Sequence, residues 1–291
     1  MKASRSSTTA EQMALSRAIE TRKSAEERIC CDPLAEQFLS NKYRLLLLGR
    51  LLRDAIERMI EALFVGHHYY VIARTRYIDD FLQDQLTQRP EQIVILGAGF
   101  DSRAYRFSDR LRNVAIFEVD HPATSNAKKL KIKTVLGDVP TQVTYVPVDF
   151  DTEKLADKLR QNGYQDKRKT IFLWEGVTPY LSDDAVDEVL QFIFSSSGQG
   201  SIVLFDYILK SVVNGSCSML GAQNEFEKME RSSEPLVFGI SEGGIQSFMS
   251  ARGFCDVVDV GSQELKGKYF SNDNRNRCVK PWWRIVHAAI S

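Results

Sequence analysis

The sequence predicts an α/β fold: one seven-stranded, mostly parallel sheet with helices on both faces, preceded by a helical N-terminal extension. Three observations carry this reading. Apolar residues recur at three- and four-residue spacings up to Pro90 and not beyond it. After Pro90, short apolar and β-branched runs alternate with charged segments of helix length, the pattern of repeated strand–helix–strand units. Those runs are apolar on both parities, as parallel strands covered on both faces must be.

In chain order, Leu45 to Leu48, Leu51, Leu52, Ile56, Met59, Ile60 and Leu63 mark one helical stretch, and Tyr70 to Gln88 marks a second. The run His67-His68-Tyr69-Tyr70 is expected to link them. Pro90 ends the helical section, because proline cannot continue a helix and disfavours one in the residue before it. Residues 1–89 thus read as an extension that caps the substrate side, and 90–291 as the core, within one structural domain. Strands are expected at Ile93 to Leu96, Val114 to Val119, Val143 to Val148, Thr170 to Trp174 and Ser201 to Tyr207. Asp151 to Gln161 and Ser182 to Phe194 are long enough for crossover helices, with Ser182 a suitable N-cap. Two further strands, Cys255 to Val260 and Trp282 to Ala289, flank the polar stretch Gly261 to Lys280. Residues 212–242, rich in Ser, Gly and Glu, break the alternation and read equally as a lid or as a surface excursion.

Composition narrows the function classes. Lys plus Arg and Asp plus Glu number 38 each, so no net field recruits nucleic acid or an anionic membrane. Cys30, Cys31, Cys217, Cys255 and Cys278 contain no C-x-x-C pair and are too sparse for a disulfide scaffold, which predicts reduced thiols. The opening MKASRSSTTAEQMALSR has no apolar h-region, and no uncharged run approaches the roughly 18 residues of a membrane span. A cytoplasmic protein with neither nucleic-acid nor membrane partners is expected.

The chemistry gathers where the expected strands end. The first runs into Gly97-Ala98-Gly99-Phe100-Asp101, a turn in which glycine permits positive φ and lets a ligand approach the backbone. The second ends at Asp120, whose carboxylate can accept hydrogen bonds from both hydroxyls of an adenosine ribose or can cap the helix that starts near Pro122. The third ends in Val148-Asp149-Phe150-Asp151 and the fourth in Trp174-Glu175-Gly176, so acidic groups converge on one edge. Asp149 and Glu175 read either as ligand contacts or as solvated strand ends. A dinucleotide's phosphates would be repelled there, whereas S-adenosylmethionine has no phosphate and carries a sulfonium and an ammonium. Ser102 stands where a dinucleotide fingerprint has its third glycine, and there is no phosphate-binding G-x-x-x-x-G-K-[ST] loop. No H-E-x-x-H, Cys/His cluster or G-x-S-x-G elbow occurs, so neither a metal nor an acyl-enzyme is expected.

The runs Ala73-Arg74-Thr75-Arg76-Tyr77-Ile78-Asp79-Asp80, Leu96 to Arg106, Glu118-Val119-Asp120-His121-Pro122 and Trp174-Glu175-Gly176-Val177-Thr178-Pro179-Tyr180-Leu181 resemble the leucine carboxyl methyltransferase family, in its bacterial-type small-molecule branch. The resemblance runs from Arg17 through the fifth strand. It implies a Rossmann-like class I methyltransferase fold with S-adenosylmethionine as cofactor and oxygen as the methylated atom. It further implies that Arg74 pairs with the methionine carboxylate, that Gly97 and Gly99 form the turn beneath it, and that Asp120 holds the ribose. Asp149 with the Phe150 backbone would meet the adenine, and Glu175 the methionine end. Read on its own, Arg74 also suits a surface ion pair with Asp79 or Asp80, and Arg103 and Arg106 take no assigned role. Candidate proton acceptors are His67, His68 and His121, with Tyr69, Tyr70 and Tyr180 as pocket walls or donors; His68 and Tyr180 are the catalytic candidates carried forward. The family's eukaryotic members methylate the terminal carboxylate of a phosphatase subunit and carry Gly-Tyr before an Asp-Pro. Here Cys30-Cys31 precede Asp32-Pro33, which favours a small-molecule acceptor over a protein. A protein carboxyl methyltransferase and a cofactor-binding protein without turnover are the alternatives.

Overall fold

The computed structural model describes residues 8–150, 152–231, 235–271 and 274–291. Its sheet is built from β1 (Gln92–Leu96), β2 (Ala115–Asp120), β3 (Val143–Pro147), β4 (Thr170–Trp174), β5 (Ile202–Ile208), β6 (Phe254–Val260) and β7 (Trp283–Ile290), in the order β3-β2-β1-β4-β5-β7-β6. β1 to β5 are parallel, and β7 lies antiparallel between β5 and β6. Every residue of β1 and β4 is buried, which is what their unbroken apolar runs require. The edge strand β6 instead alternates, burying Phe254 and Val260 and exposing Asp256 and Val258, with a register shift that roughens the edge.

Strand order reverses between β1 and β4. Ile95 sits beside both Glu118 of β2 and Leu173 of β4, so the glycine turn, Asp120 and Glu175 emerge at one level of the carboxyl edge. That crevice is where an open α/β sheet binds its ligand.

The extension holds α1 (Thr8–Thr21), α2 (Asn41–Leu46), α3 (Arg50–Leu63) and α4 (His67–Leu86), with α1 and α3 packed on α4. α4 lies against β7 through Tyr70 on Trp283 and Phe81 on His287, at ring separations of 5.3 and 4.9 Å. It begins at His67, so His67-His68-Tyr69-Tyr70 is its first turn and not a linker. The reason lies outside the apolar period. Gly66 adopts φ +75°, and the Glu61 carboxylate accepts from the backbone N–H of Gly66 (2.7 Å) and His68 (2.8 Å), closing the free helix end.

The core helices are α5 (Arg103–Arg106), α6 (Pro122–Leu136), α7 (Leu155–Gln161), α8 (Asp183–Ser196), α9 (Lys210–Val213), α10 (Ala222–Glu230), α11 (Ile245–Ser250) and α12 (Ser262–Tyr269). Ser182 caps α8 as expected, its Oγ accepting from Ala185 N–H at 3.2 Å. The polar stretch after β6 is not all loop: Glu264 accepts from Gly261 N–H at 2.9 Å and closes the start of α12.

Residues 212–231 and 235–242 turn back over the carboxyl edge; 232–234, within the stretch that breaks the strand–helix alternation, lie outside the described residues. Val237 and Phe238 donate to the Pro179 carbonyl at 2.7 and 3.1 Å, and Asn224 of α10 reaches the Leu63 carbonyl at the end of α3. All five cysteines are free thiols, and no helix among the described residues is long and apolar enough to cross a membrane.

Gly66 is the tightest junction between extension and core, since a Cβ there would lie 2.7 Å from Lys280 N. Gly66→Ala combines this clash with a left-handed backbone and is expected to cost about 1–3 kcal/mol. Urea unfolding reads this as a lower midpoint at constant slope; an unchanged midpoint would show that the junction yields.

Candidate active site

The glycine turn is stretched between two neighbours. Gly97 and Gly99 take φ of +64° and +40°. A Cβ on Gly97 would sit 2.2 Å from Val177 Cγ2, and one on Gly99 would sit 3.4 Å from Ala10 Cβ, so the turn is pressed between the end of β4 and α1. Asp120 Oδ2 accepts from Gly99 N–H at 2.5 Å, and Oδ1 accepts from His121 N–H at 2.7 Å. Helix α6 is capped by His121 and not by Asp120: His121 Nδ1 accepts from Ala123 N–H at 3.3 Å. One lone pair on each Asp120 oxygen therefore stays available to a ligand. Burial pushes the Asp120 carboxyl up, against the two N–H donors that favour its charged form.

Beside the turn stands a lattice of arginines and carboxylates. Arg74 of α4 has Nε 2.9 Å from Glu175 Oε1 and donates through Nη1 to Asp206 Oδ2 of β5; its Nη2 meets the Met13 sulfur at 3.7 Å. Arg103 places Nε 2.7 Å from Asp79 and Nη1 2.6 Å from both Asp101 and Glu175. Asp206 also accepts from Gly176 N–H at 2.6 Å and from the Tyr70 hydroxyl at 3.3 Å. The surface-pair reading of Arg74 thus gives way. Asp80 pairs with Arg76 at i,i+4, and Asp79 pairs with Arg103 and Arg106, because residues five and six beyond Arg74 lie on other faces of the helix. Burial raises the Glu175 carboxyl, but Arg103 and Arg74 outweigh it and hold the group below its usual range.

The other candidates scatter. Asp149 is half-buried at the end of β3, its N–H donating to Glu153 at 3.0 Å, and the Phe150 side chain is 53% exposed. Tyr180 ends the short 3-10 turn Thr178–Tyr180 beneath Val237 and Phe238. His68 is fully buried away from the lattice, with Nε2 3.7 Å from Glu20 and 3.9 Å from Glu57, and Lys23 binds both carboxylates. Tyr69 joins that cluster by donating to Glu57 at 2.8 Å. His67 is half-buried on the other side of α4. Sequence reasoning missed Asp206, and it counted Asp101 among the strand-end acids without giving it a partner. An acid inside the apolar strand Ile202–Ile208 was the available signal for the first.

A family model described as leucine carboxyl methyltransferase matches residues 10–194. The chain belongs to that family. It is 28% identical over 221 residues to "Putative S-adenosyl-L-methionine-dependent methyltransferase YktD" of Bacillus subtilis (strain 168), covering 75% of this chain and 71% of that one. A Mycolicibacterium gilvum (strain PYR-GCK) protein of the same description, without the YktD, is 30% identical over 66% of this chain, which spans 64% of its length. In three dimensions it is similar to the crystal structure of a "putative methyltransferase" from Thermobifida fusca YX, with TM-score 0.58, 11% identity and coverage of 95% and 94% of the two chains. This member of the leucine carboxyl methyltransferase family is an S-adenosylmethionine-dependent methyltransferase.

The residues present fit that cofactor. Arg17, Arg74, Arg103 and Arg106 face Asp32, Asp79, Asp101, Glu175 and Asp206, and Asp120 stands beside the same turn, so acids are in excess when all are ionised. S-adenosylmethionine carries one net positive charge at neutral pH, so the two are complementary. One carboxylate of the lattice and one of the His68 cluster also govern acid stability. Burial pushes Glu20 and Asp101 up, but His68, Lys23 and the Ile29 N–H at Glu20, and Arg103 and Lys128 at Asp101, bring both down to about 2 from ordinary values of 4.5 and 3.8. Their stabilisation is complete above about pH 4.5 and is lost as pH falls toward 2. Urea midpoints measured at pH 6, 4 and 3 should fall progressively, and less steeply in Glu20→Gln; a flat series contradicts these assignments.

Proposed function

We propose that this chain transfers the methyl group of S-adenosylmethionine to an oxygen of a small-molecule acceptor. The observation that carries the reading is the convergence of Asp120, Glu175 and Arg74 at the strand-order reversal, beneath α1 and residues 212–242. Among the described residues the hydrogen-bond partner of Arg74 Nη2 is a thioether, a weak acceptor that a methionine carboxylate readily replaces. Glu175 faces the ammonium end, Gly97 and Gly99 form the floor, and Asp120 takes the ribose hydroxyls. Asp149 and the Phe150 backbone take the adenine. When bound, S-adenosylmethionine supplies an electrophilic methyl carbon on a sulfonium.

The protein's task is then alignment and exclusion of water, and positioning of this kind supplies roughly 7–11 kcal/mol in well-oriented cases. Residues 212–231 and 235–242 act as a lid with the extension, closing the site from the side of β5 and α3. A small acceptor is favoured because Cys30-Cys31 stand where the protein-modifying relatives carry Gly-Tyr, before an Asp-Pro turn that is locked internally: Asp32 accepts from Arg17 at 2.8 Å and from Leu34 N–H at 3.1 Å. The reaction belongs to the cytoplasm, with no nucleic acid or membrane taking part.

Isothermal titration with S-adenosylmethionine and with reduced nicotinamide cofactors is the direct test, followed by an acceptor screen. Saturable binding of the sulfonium alone, with turnover on an acid or hydroxyl acceptor, is expected. Binding without turnover would favour a non-catalytic cofactor binder. Asp120→Ala should weaken cofactor binding by about 10- to 100-fold, the loss of charged hydrogen bonds of about 1.5–3 kcal/mol, while circular dichroism stays unchanged. Retained affinity in the folded variant removes the ribose role. Glu175→Gln with unchanged binding and turnover would likewise reduce Glu175 to a structural partner of Arg103.

A further inference from the structure

We infer that His67 is the proton acceptor for a hydroxyl-bearing acceptor, a phenol or enol and not a carboxylic acid, bound between the start of α4, residues 278–282 and α10. This rests on the oxygen-methylation reading above and names its acceptor class.

His67, Tyr70 and Arg74 stand at i, i+3 and i+7 and share one face of α4. Tyr70 reaches Asp206 and Arg74 reaches Glu175, so that face looks into the site. Gly66 brings the chain against residue 280, where Lys280 N–H donates to the Gly66 carbonyl at 3.3 Å, and this sets His67 beside Lys280. Phe64 forms the adjoining wall, its ring 5.9 Å from the imidazole, 5.8 Å from Lys280 Nζ and 4.4 Å from Lys228 Nζ of α10. The half-buried imidazole makes no hydrogen bond through its ring nitrogens to any described residue, so both are open to a ligand.

The charges around it select the acceptor. Arg74 is closed by Glu175 and Asp206, and Lys280 is closed by Glu225 at 2.6 Å. Lys228, the remaining cation there, donates to the Leu63 carbonyl, so among the described residues a buried carboxylate would have to draw it away or be desolvated alone, which is costly. A hydroxyl needs no counterion, but it needs somewhere to send its proton, since a phenol is un-ionised at neutral pH. Burial, with Lys280, Arg74 and His68 adding to it, holds the His67 imidazole well below its ordinary value, so its nitrogen is free to accept. Glu61 of α3, closing the start of α4, and Glu225 and Lys228 of α10 are further charged groups close to it. In the transfer, the acceptor oxygen bonds to the methyl carbon as the carbon–sulfur bond breaks and its electron pair goes to sulfur. The hydroxyl proton passes to the imidazole and from there to water.

The test pairs labelling with turnover. Diethyl pyrocarbonate modification of the full chain with S-adenosylhomocysteine, mapped by mass spectrometry across pH, should label His67 with a midpoint below the ordinary 6.5 and leave His68 unlabelled. On a panel of phenols and carboxylic acids, His67→Gln should lose about 10²- to 10⁴-fold on phenols, together with the acid limb of the pH profile, at unchanged cofactor affinity. An unreactive His67, a midpoint at or above 6.5, an unchanged phenol rate, or transfer to carboxylic acids alone overturns the proposal. A wild-type protein that methylates neither class overturns the oxygen reading, and the proposal with it; transfer that ignores His67→Gln overturns the proposal alone.

Discussion

Glu175 is shared by two guanidiniums, with one oxygen 2.9 Å from Arg74 and the other 2.6 Å from Arg103. Arg74 comes from the extension, Arg103 from the helix after the glycine turn, and Glu175 from the end of β4. One carboxylate thereby fixes three parts of the chain around the crevice. Such a pair is weak evidence for stability, because taking charges out of water costs about as much as their attraction returns. Its yield is geometric: two rigid forks hold each other's partners, so the edge of the sheet reaches the ligand already arranged.

The same reasoning explains why extension and core form one unit. Phe38 stacks on Phe100 at 5.1 Å with planes 5° apart, and Arg17 donates to the Phe100 carbonyl at 2.7 Å while holding Asp32. Phe100 belongs to the glycine turn, so the extension grips the very loop proposed as the floor of the cofactor site. Beneath that loop Lys128 lies 2.9 Å from Glu118 and donates to the Ala98 carbonyl, while Tyr105 donates to Glu118 at 2.9 Å. The turn is held from above and below by buried charge, a preorganised floor and not a mobile loop.

Much of this was legible in the sequence because it depends on period and order. Parallel strands covered by helices are largely apolar on both parities, and five were readable on that ground; the glycine turn and the strand-end acids followed from where those strands stop. What escaped depends on partners distant in sequence. The start of α4 at His67 needs Glu61 folded back onto its first N–H groups, which no apolar period reports. Arg74 looked equally suited to Asp79 or Asp80 until α5 supplied Arg103 and Arg106 to claim Asp79. Asp206 lies in the middle of an apolar strand, and only the fold shows that it faces Arg74, 132 positions away.

Two adjacent histidines show how far environment outweighs residue type. On a helix, neighbours point about 100° apart, so His67 and His68 enter different surroundings from the same turn. His68 faces Glu20 and Glu57 across the helices of the extension, where it belongs to a closed cluster completed by Lys23. His67 faces Arg74 and Lys280, and its ring nitrogens are left without a protein partner. Burial, with Lys280 and Arg74 adding to it, favours a neutral His67 ring and preserves its lone pair. Of the two, the one that sequence pattern alone set aside is the one whose surroundings suit proton transfer.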